Sequence, residues 1–484
     1  MDNVTTSIAS CCLSLSLLLE GMVSFPGSLA YTASLASYFT LQMTDIRPSC
    51  IVSPTTADHV STAIHVLTSG GSSPPLCKFA IRSGGHSTSI GASNIQDGVT
   101  IDLRNLNTIS LSPDKSIVSI GVGNTWGTVY SNLDELNLSV VGGRTSSVGV
   151  GGLTLGGGIS YFGPRYGWTF DTVTNFEIVL ANGSIAHANN DENTNLFWAL
   201  HGGANNFGVV TRIDIQSFDQ SEFWGGISYH ATPMYDEEIA ALSEFSMRAP
   251  YDEFASLIGT FGYSAASGPF IANTIEYTKN EPNPLAFRRI LSIPSVNSTL
   301  RVTNMTDLAV ETETQQMIGE RAAYATVTIH PTNEAIDATV RAWNSSLSSI
   351  RDIAGIIWSI SLEPLPSSIY ARYSKDNALG LHRRQDDPLL VILLSVIWSE
   401  AKDDNKIERE MKALIHLIEK EAEKLGALDP FLYLNYAASW QNPIASYGEA
   451  SVSRLRRVQR EYDPTGIFAN HVPGGFKIPN QGTA

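Results

Sequence analysis

The sequence predicts a protein of the α+β class that has two parts with different strand patterns. Residues 45–100 alternate short strands with a helix, whereas longer strand-forming stretches separated by helical segments run from Phe223 to about Trp398. With 484 residues, the chain is too long for one ordinary domain. Its 43% apolar and 16% charged residues are typical of a well-packed globular protein. We therefore expect two or three lobes, one of them an antiparallel sheet backed by helices.

The first part opens with a βαβ unit. "SCIVSP" predicts a strand, "TTADHVSTAIHVLTSG" a capped helix that ends at glycine, and "KFAIRSGG" a strand that leads into a glycine turn. Because α/β sheets place ligands at the carboxyl ends of their strands, this turn is a candidate binding position. The segment "ANGS" between apolar runs predicts a hairpin. Further strands are predicted in "GVTIDL", "SIVSIGVG", "LSVVGG", "TNFEIVLANGSI" and "FGVVTRIDIQSF".

The pattern changes near residue 219, where the second part begins. Its strands are predicted in "WGGISYHATP", "ATVTIHP", "IIWSISLEP" and "LLVILLSVIW". Residues 404–424 predict a charged amphipathic helix with one apolar face. That face comprises Ile407, Met411, Leu414, Ile415 and Ile418. The tail from "YLNYAASW" onwards is rich in aromatic residues and glycine, so we expect it to pack back on the body of the protein.

Composition and motif content argue against several classes of function. The net charge of −16 disfavours a nucleic-acid partner, since phosphate recognition needs a basic face. No run of 18 apolar residues predicts a membrane span. The sequence has no cluster of histidine, cysteine and aspartate with metal-ligand spacing and no G-x-S-x-G elbow. We expect no metal, and nothing in the sequence implies a protein partner.

The N-terminal stretch "SIASCCLSLSLLLEGMV" is a poor signal peptide, because an acidic residue and no cation precede its apolar run. Asn-X-Ser/Thr sequons nevertheless favour a secreted or secretory-pathway protein. These sequons begin at Asn3, Asn137, Asn182, Asn297, Asn304 and Asn344. The four cysteines are Cys11, Cys12, Cys50 and Cys77. A disulfide from Cys11 or Cys12 to Cys50 is one interpretation, and buried free thiols are the other.

One histidine, His86, directly follows two glycines in "CKFAIRSGGHSTSIGASNIQDGVTIDL". Paired glycines mark places where the backbone takes a positive φ or closely approaches another group. The histidine presented there is a catalytic group, a ligand, or a structural residue of a turn. The stretch alone does not decide among these roles.

A second glycine-rich stretch, "GGRTSSVGVGGLTLGGGISYFGPRYGWTFD", has ten glycines in thirty residues. Glycine is on average about 7% of residues, and each one costs conformational entropy on folding. Backbone N–H groups laid along an extended anionic ligand would explain such a cluster, because side chains would block that approach. A glycine-rich turn region of a β domain is the alternative. The stretch matches neither a Walker loop nor a clean G-x-G-x-x-G fingerprint.

Five motifs in order carry a family resemblance that covers nearly the whole chain. They are "RSGGHS", "SVGVGGLTLGGGISYFGPRYGWTFDTVTNFEIVLANG", "LFWALHGGANNFGVVT", "YLNY" and "YDPTGIF". Together they resemble the berberine bridge enzyme-like branch of the FAD-linked oxidases with the vanillyl-alcohol-oxidase fold, and fungal members in particular. The implied fold is α+β, with a two-lobed PCMH-type FAD-binding domain plus a substrate domain whose antiparallel sheet is backed by helices. The implied boundaries are 1–44 for an N-terminal segment on the FAD domain, 45–218 for the FAD-binding domain, 219–428 for the substrate domain and 429–484 for a C-terminal segment that returns to the FAD domain.

The resemblance implies that FAD is attached covalently to the histidine of the R-S-G-G-H motif, which is His86 here. It further implies that backbone at the glycines contacts the pyrophosphate of the cofactor. The implied cofactor-binding residues are Ile81, Arg82, Ser83, Gly84, Gly85, His86, Ser87, Gly149, Val150, Gly151, Gly152, Leu153, Ile159, Val210, Tyr433 and Asn435.

Many relatives hold the flavin by a second bond from a cysteine, and Thr145 occupies that position here. A threonine cannot form the thioether, so we expect attachment at His86 only. Sugar-oxidising relatives tend to be doubly attached. Single attachment therefore favours a smaller and more apolar substrate.

The implied chemistry is oxidation of the substrate by hydride transfer to the flavin, with O2 as the final acceptor. Tyr436 matches the tyrosine that is the base in cannabinoid-forming relatives; a packed aromatic is the alternative. We expect alternation in "YLNYAASW" to place Tyr433 and Asn435 on one face of a strand. A phenol acting as base needs a pKa lowered by about two units or more. Another relative uses a glutamate of the substrate sheet as base, but the corresponding segment here, around "KDNALGLHRRQDDPLLVILL", offers no carboxylate that we can align, and His330 and His382 are weaker candidates.

These observations predict an FAD-dependent oxidase of a small, fairly apolar secondary metabolite, acting by alcohol oxidation or oxidative cyclisation. A carbohydrate oxidase and a pericyclase-like cyclase that keeps FAD only structurally are the alternatives, followed by a flavin-free binding module. The sequence does not name the substrate.

Overall fold

The computed structural model describes residues 2–68, 77–316, 318–371, 377–384 and 387–480, without the side chains of 2–7 and 383. The helices are α1 (Asp2–Leu18), α2 (Leu29–Ala36), α3 (Leu41–Thr44), α4 (Ala57–Thr68), α5 (Trp126–Asp134), α6 (Val150–Leu155), α7 (Gly163–Tyr166), α8 (Thr194–Leu200), α9 (Tyr235–Ser246), α10 (Arg288–Leu291), α11 (Met305–Thr314), α12 (Asn333–Ile350), α13 (Ser367–Ala371), α14 (Asp404–Lys424), α15 (Glu449–Tyr462) and α16 (Ile467–Asn470). The strands are β1 (Val23–Ser24), β2 (Cys50–Val52), β3 (Phe79–Arg82), β4 (Val99–Asp102), β5 (Ile109–Leu111), β6 (Ile117–Gly121), β7 (Leu138–Val140), β8 (Val173–Val179), β9 (Ile185–Asn189), β10 (Val209–Asp219), β11 (Phe223–His230), β12 (Ala255–Ser264), β13 (Gly268–Tyr277), β14 (Ser295–Ser298), β15 (Arg301–Thr303), β16 (Arg321–Ile329), β17 (Ile357–Leu365), β18 (Leu389–Trp398) and β19 (Leu428–Asp429). Helices and strands are mixed, which confirms the α+β class.

A small sheet begins the first part, with strand order β1-β2-β4-β3. Strands β2 and β3 are both parallel to β4, which lies between them, and α4 connects them. The amphipathic pattern of α4 buries Val60, Ala63, Ile64 and Leu67. The predicted end of this helix at Gly70 lies outside the described residues. The carboxyl end of β3 leads directly into the predicted glycine turn.

A second sheet of the first part has the strand order β5-β6-β10-β8-β9, and β7 also pairs with β10. The predicted hairpin at "ANGS" is present, since β8 and β9 pair antiparallel around a turn in which Gly183 has a φ of +80°. A positive φ there suits glycine, which has no side chain to clash. The two sheets of this part share one hydrophobic core.

The second part is built on an antiparallel sheet with the strand order β14-β11-β13-β12-β17-β18-β16-β19, and β15 also pairs with β11. Helices α9, α12 and α14 cover one face of this sheet and form a second core with it. Helix α14 has the predicted apolar face. The buried residues of that helix include Ile407, Met411, Leu414, Ile415 and Ile418. The opposite face of the sheet is turned towards the first part.

Two disulfides attach α1 to the βαβ unit. One joins Cys12 to Cys50, which was one of the two predicted pairings, and the other joins Cys11 to Cys77. The alternative of buried free thiols is therefore wrong, and the second bond to Cys77 was not predicted. The apolar stretch around these cysteines is part of the folded core, because Leu15 and Leu19 are also buried there.

The C-terminal segment contacts the first part at several backbone groups. Phe79 of β3 donates its N–H to the carbonyl of His471 at 2.9 Å, and the side chain of Asn206 donates to the carbonyl of Phe476 at 2.9 Å. The predicted strand at "YLNYAASW" is wrong. Leu434–Tyr436 is a single 3-10 turn, closed by the N–H of Tyr436 bonding to the carbonyl of Tyr433 at 3.1 Å. Among the described residues, no helix combines the length and apolar character needed to cross a membrane.

Candidate active site

A cavity of about 680 Å³ lies between the two parts. Four parts of the molecule line it: the two glycine-rich stretches, the helix-free face of the large sheet, and the C-terminal segment. Most of the predicted cofactor-binding residues are among its lining residues. These are Ile81, Ser83, Gly84, Gly85, His86, Ser87, Gly149, Gly151, Gly152, Leu153, Ile159, Val210, Tyr433 and Asn435.

The two glycine motifs form one continuous surface. A Cβ added at Gly84 would lie 2.6 Å from the Cα of Gly149, so the two backbones meet at a distance that only glycine permits. The Oγ of Ser83 accepts the N–H of Gly151 at 3.1 Å and donates to the carbonyl of Val122 at 2.6 Å. A Cβ at Gly152 would meet no protein atom within 4 Å. The space in front of Gly152 therefore belongs to the cavity.

The imidazole of His86 is enclosed by protein and borders the cavity. Its ring stacks on Phe39, with ring centroids 3.9 Å apart and planes 12° from parallel. The Nε2 atom is buried and has no hydrogen-bond partner. Burial lowers the pKa of His86 to about 4, so the ring is neutral at pH 7 and one ring nitrogen carries a free lone pair.

Two predicted cofactor-binding residues, Arg82 and Val150, are not among the residues that line the cavity. The guanidinium of Arg82 points into the protein, where it lies 3.7 Å from the carboxylate of Asp102 and donates to the carbonyl of Ser34 at 2.7 Å. The side chain of Val150 is fully buried in the core. Both side chains support the glycine surface from behind.

Tyr433 and Asn435 hold the third glycine run in place. The hydroxyl of Tyr433 accepts the N–H groups of Gly158 and Ile159, each at 3.1 Å. Asn435 donates to the same hydroxyl and to the carbonyl of Leu153, each at 3.0 Å. The sequence predicted these two residues on one face of a strand; they lie instead at a 3-10 turn, where their side chains still meet.

Tyr436 belongs to a cluster of three polar side chains that all line the cavity. Its hydroxyl donates to Oε1 of Glu363 at 2.9 Å and accepts a hydrogen bond from Arg144. Arg144 also forms an ion pair with Glu363, with Nη2 2.9 Å from Oε2. The guanidinium and carboxylate side chains are 12% and 5% exposed, so water screens this pair little.

The electrostatics of this cluster differ from the expected lowered phenol pKa. Burial raises the pKa of Tyr436 well above its ordinary value; the charge of Arg144 opposes this effect but does not overcome it. Tyr436 is therefore protonated in the resting protein. Burial disfavours the charge of Arg144, yet Glu363 and the surrounding phenols more than offset this, and the pKa of Arg144 is raised. Glu363 accepts the hydrogen bond of this protonated phenol through Oε1.

Sequence reasoning missed Glu363 because it searched for a carboxylate further along the chain. The signal was the alternation within β17, whose residues Ile357, Ser359, Ser361 and Glu363 line the cavity. The intervening Trp358, Ile360 and Leu362 are buried in the second core. The weaker candidates His330 and His382 are not among the cavity-lining residues.

Known proteins resemble this chain in sequence and in fold. Residues 48–189 match the model of a family described as an FAD binding domain. The chain is 33% identical over 483 residues to the FAD-dependent monooxygenase CTB5 of Cercospora beticola, and the match covers 97% of this chain and 92% of that protein. The chain belongs to the berberine bridge enzyme-like family of FAD-linked oxidoreductases. This member is accordingly an FAD-dependent enzyme, as its sequence predicted.

A second relative is longer. The chain is 40% identical over 468 residues to oligopeptidase PhomG' of Diaporthe leptostromiformis, and it spans 37% of the length of that protein.

Solved structures of low sequence identity share the fold of this family member. The 6-hydroxy-D-nicotine oxidase of Arthrobacter nicotinovorans superposes with a TM-score of 0.76 at 21% identity, covering 95% of this chain and 98% of that one. The glucooligosaccharide oxidase of Acremonium strictum, whose FAD is described as 6-S-cysteinyl and 8α-N1-histidyl, superposes with a TM-score of 0.77 at 19% identity, covering 98% and 99%.

The residues of this FAD-linked enzyme fit the cofactor that its family uses. His86 borders the cavity with a neutral ring, and one nitrogen of a neutral imidazole carries a lone pair that can bond the cofactor. The joined glycine surface leaves open space at Gly152, where an extended ligand can approach the backbone. His86 and the polar cluster at Tyr436 line the same cavity.

Proposed function

We propose that this protein oxidises a small, largely apolar substrate with FAD held covalently at His86 alone and with O2 as electron acceptor. One observation carries the proposal: a single cavity is lined by a neutral histidine at the end of a glycine surface and by a buried Tyr436–Glu363–Arg144 cluster. When bound, FAD supplies the two-electron acceptor for the substrate and returns the electrons to O2, giving peroxide.

The polar cluster moves the substrate proton. A substrate hydroxyl in contact with Tyr436 gives its proton to the phenol oxygen while the phenol proton passes to Oε1 of Glu363, 2.9 Å away. Phenolate need not accumulate, which is consistent with the raised pKa of Tyr436. Arg144 stabilises negative charge on the oxygen of Tyr436 through its hydrogen bond and holds Glu363 in place.

The sheet face of the cavity has a mixed character. Apolar side chains there include Ile227, Ile258, Phe270 and Leu393, which suit an apolar ring system. Hydroxyl side chains lie between them at Thr260, Thr274, Ser359, Ser361 and Ser395. This row of hydroxyls favours carbohydrate oxidation as a second candidate function. A panel of sugars with peroxide detection distinguishes the two, because only the carbohydrate oxidase would release peroxide with sugars.

Substrate-dependent bleaching of the flavin tests the oxidase proposal directly. An oxidase loses the visible absorbance of its bound flavin when substrate is added without oxygen, and regains it when air is admitted. A cyclase that keeps FAD only structurally would convert substrate with no such change, and that outcome would contradict the proposal.

Replacing His86 with alanine should release the flavin. We expect the wild-type protein to keep its yellow colour in the pellet after acid precipitation, whereas the flavin of His86→Ala should remain in the supernatant. Some noncovalent FAD should still bind before acid treatment, because the glycine surface does not depend on the imidazole. The absorbance of the pellet measures covalently bound flavin, and that of the supernatant measures released flavin. If acid released the flavin of the wild-type protein, covalent attachment would be absent.

A peptide map should find flavin on the peptide that contains His86 and nowhere else. Thr145 cannot form a thioether, and all four cysteines of the chain are joined in disulfides. Mass spectrometry of a protease digest measures the adduct. A flavin mass on any cysteine-containing peptide would refute single attachment and would strengthen the carbohydrate candidate.

The disulfides and sequons support a secretory route for this chain, since disulfides form in oxidising compartments. The sequon residues Asn137, Asn182, Asn297 and Asn344 are exposed and accessible to glycosylation. Asn304 instead caps α11, where its side chain accepts the N–H of Asp307 at 2.9 Å. We therefore expect glycans at the exposed positions in preference to Asn304.

A further inference from the structure

Gln316 is a cavity-lining residue that neither the sequence analysis nor the proposed reaction uses. It follows α11, and its amide lies beside the imidazole of His86. The larger effect of burial lowers the pKa of that ring; a hydrogen bond to the backbone of His86 and, after it, one to Gln316 act to raise it. Its Oε1 atom is buried without a hydrogen-bond partner, and so is Nε2 of His86. Two neighbouring side chains therefore each carry an unused, buried polar atom.

These two atoms are complementary. A buried polar atom without a partner costs about 1–3 kcal/mol, so a pair of them in adjacent side chains is seldom without a role. An amide oxygen only accepts hydrogen bonds, and a neutral imidazole has one N–H to donate. A small rotation of the amide would let Oε1 accept the N–H of Nε2. The stack on Phe39 already fixes the plane of the imidazole ring.

Thr145 orients the other end of the same amide. The Nε2 atom of Gln316 donates to Oγ1 of Thr145 at 3.5 Å, the outer limit of a hydrogen bond. With its NH2 group directed at the threonine hydroxyl, the amide has its oxygen free for a donor. Thr145 is the residue that replaces the second attachment cysteine of many relatives, so the chain has a hydrogen-bonding group where those relatives have a thioether.

We propose that Gln316 is the positioning residue for covalent flavin attachment: it holds the proton of His86 on Nε2 and so leaves the lone pair on Nδ1 to bond the cofactor. The proposal rests on the proposed function, since it presupposes attachment at His86. Without the amide, the hydrogen bond between the ring and the backbone of His86 alone decides which nitrogen carries the proton, and only one of the two tautomers can form the bond to the cofactor.

The attachment step balances as follows. A C–H bond of the 8α-methyl group of FAD breaks, and a bond forms between that carbon and Nδ1 of His86. The histidine also loses its N–H proton. Two electrons and these two hydrogens are taken up by O2, which becomes hydrogen peroxide. Gln316 neither gains nor loses an atom, because its role is to fix the tautomer.

Timed attachment of FAD to apoprotein tests this role independently of catalysis. Wild-type and variant apoproteins are mixed with FAD in air, samples are acid-precipitated at intervals, and pellet flavin and the mass of the His86 peptide are measured. Gln316→Met, which keeps the side-chain size but has no amide, should attach flavin at least about tenfold more slowly than the wild type while still binding it noncovalently. Gln316→Glu keeps an acceptor oxygen at the same reach and should attach it at a rate near that of the wild type.

Gln315→Met provides the matched control, since this neighbouring glutamine instead accepts the hydroxyl of Tyr229 at 2.9 Å. Its attachment rate should be that of the wild type. Equal rates in Gln316→Met and wild type would overturn the inference and leave the proposed function intact. Equal slowing in Gln316→Met and Gln316→Glu would also overturn it, because the acceptor would then be irrelevant. If the wild type attaches no flavin, the proposed function itself fails.

Discussion

Replacing Glu363 with glutamine should slow anaerobic reduction of the bound flavin by substrate by about 10²–10⁴-fold, the usual contribution of a positioned proton acceptor. Glutamine keeps the shape and can still accept the hydroxyl of Tyr436, but its neutral amide cannot take up the proton. Flavin content should change little, since glutamine keeps the shape of Glu363 and its hydrogen bond with Tyr436. Stopped-flow absorbance of the flavin measures the rate.

Two further variants distinguish a proton relay from a base that acts alone. Tyr436→Phe should slow flavin reduction by a similar factor, because it removes the group between substrate and Glu363. Glu238→Gln is the matched control: this glutamate is also buried, but it bonds Asn273 at 2.8 Å and does not line the cavity. Its reduction rate should equal that of the wild type. If Glu363→Gln reduces flavin at the wild-type rate and Tyr436→Phe does not, the phenol acts without the carboxylate.

The pH dependence gives a second check on the same cluster. Because burial raises the pKa of Tyr436 far above its ordinary value, the rate should not rise with ionisation of a phenol near neutral pH. This differs from the expectation that the sequence alone supported, in which a lowered phenol pKa was required.

Replacing Arg144 with methionine should destabilise the protein by about 3–5 kcal/mol, the usual cost of breaking a buried ion pair from one side. The carboxylate of Glu363, only 5% exposed, would lose its ion-pair partner at 2.9 Å. The loss of stability is measured from the midpoint of urea unfolding of the flavin-loaded protein. The comparison requires that the free energy of unfolding depends on urea concentration with the same slope in both proteins.

The double variant Arg144→Met with Glu363→Leu should recover most of that loss, since it leaves neither charge unpaired. It should remain inactive, because the proton acceptor is gone. If the single and double variants unfold at the same urea concentration, the cost comes from lost packing around Arg144 and not from an uncompensated charge. Tyr436 then contributes to the stability of the site only as an aromatic ring.

The fold was predictable where the pattern is local. The strand in "IIWSISLEP" and the apolar face of α14 could be predicted because apolar residues recur with a period of two in a strand and of 3.6 in a helix, and both periods are visible in the sequence. The pairing of Cys11 with Cys77 could not be predicted, because four cysteines allow three connectivities and the sequence does not rank them. The 3-10 turn at Leu434–Tyr436 was mistaken for a strand because its backbone is set by contacts with distant glycines.

The candidate site shows the same limit. His86 and the glycine stretches could be recognised because their local motif is distinctive. The polar cluster combines Arg144 of the first part, Glu363 of the large sheet and Tyr436 of the tail, and no local pattern connects these positions. Arg82 shows a different limit: a motif does not say which way a side chain points, and the guanidinium of Arg82 faces Asp102 and not the cavity.

The large sheet has short strands at its two ends, β14 of four residues and β19 of two. Unpaired backbone groups on an edge strand can recruit a strand from another molecule, and the risk grows with the length of the edge. All four residues of β14 are exposed, and Asn297 within it begins a sequon. A glycan there would stand directly over the open edge. Where glycosylation occurs, this edge is therefore protected against strand pairing. A host that omits glycans would leave the four-residue edge open, with Val296 70% exposed.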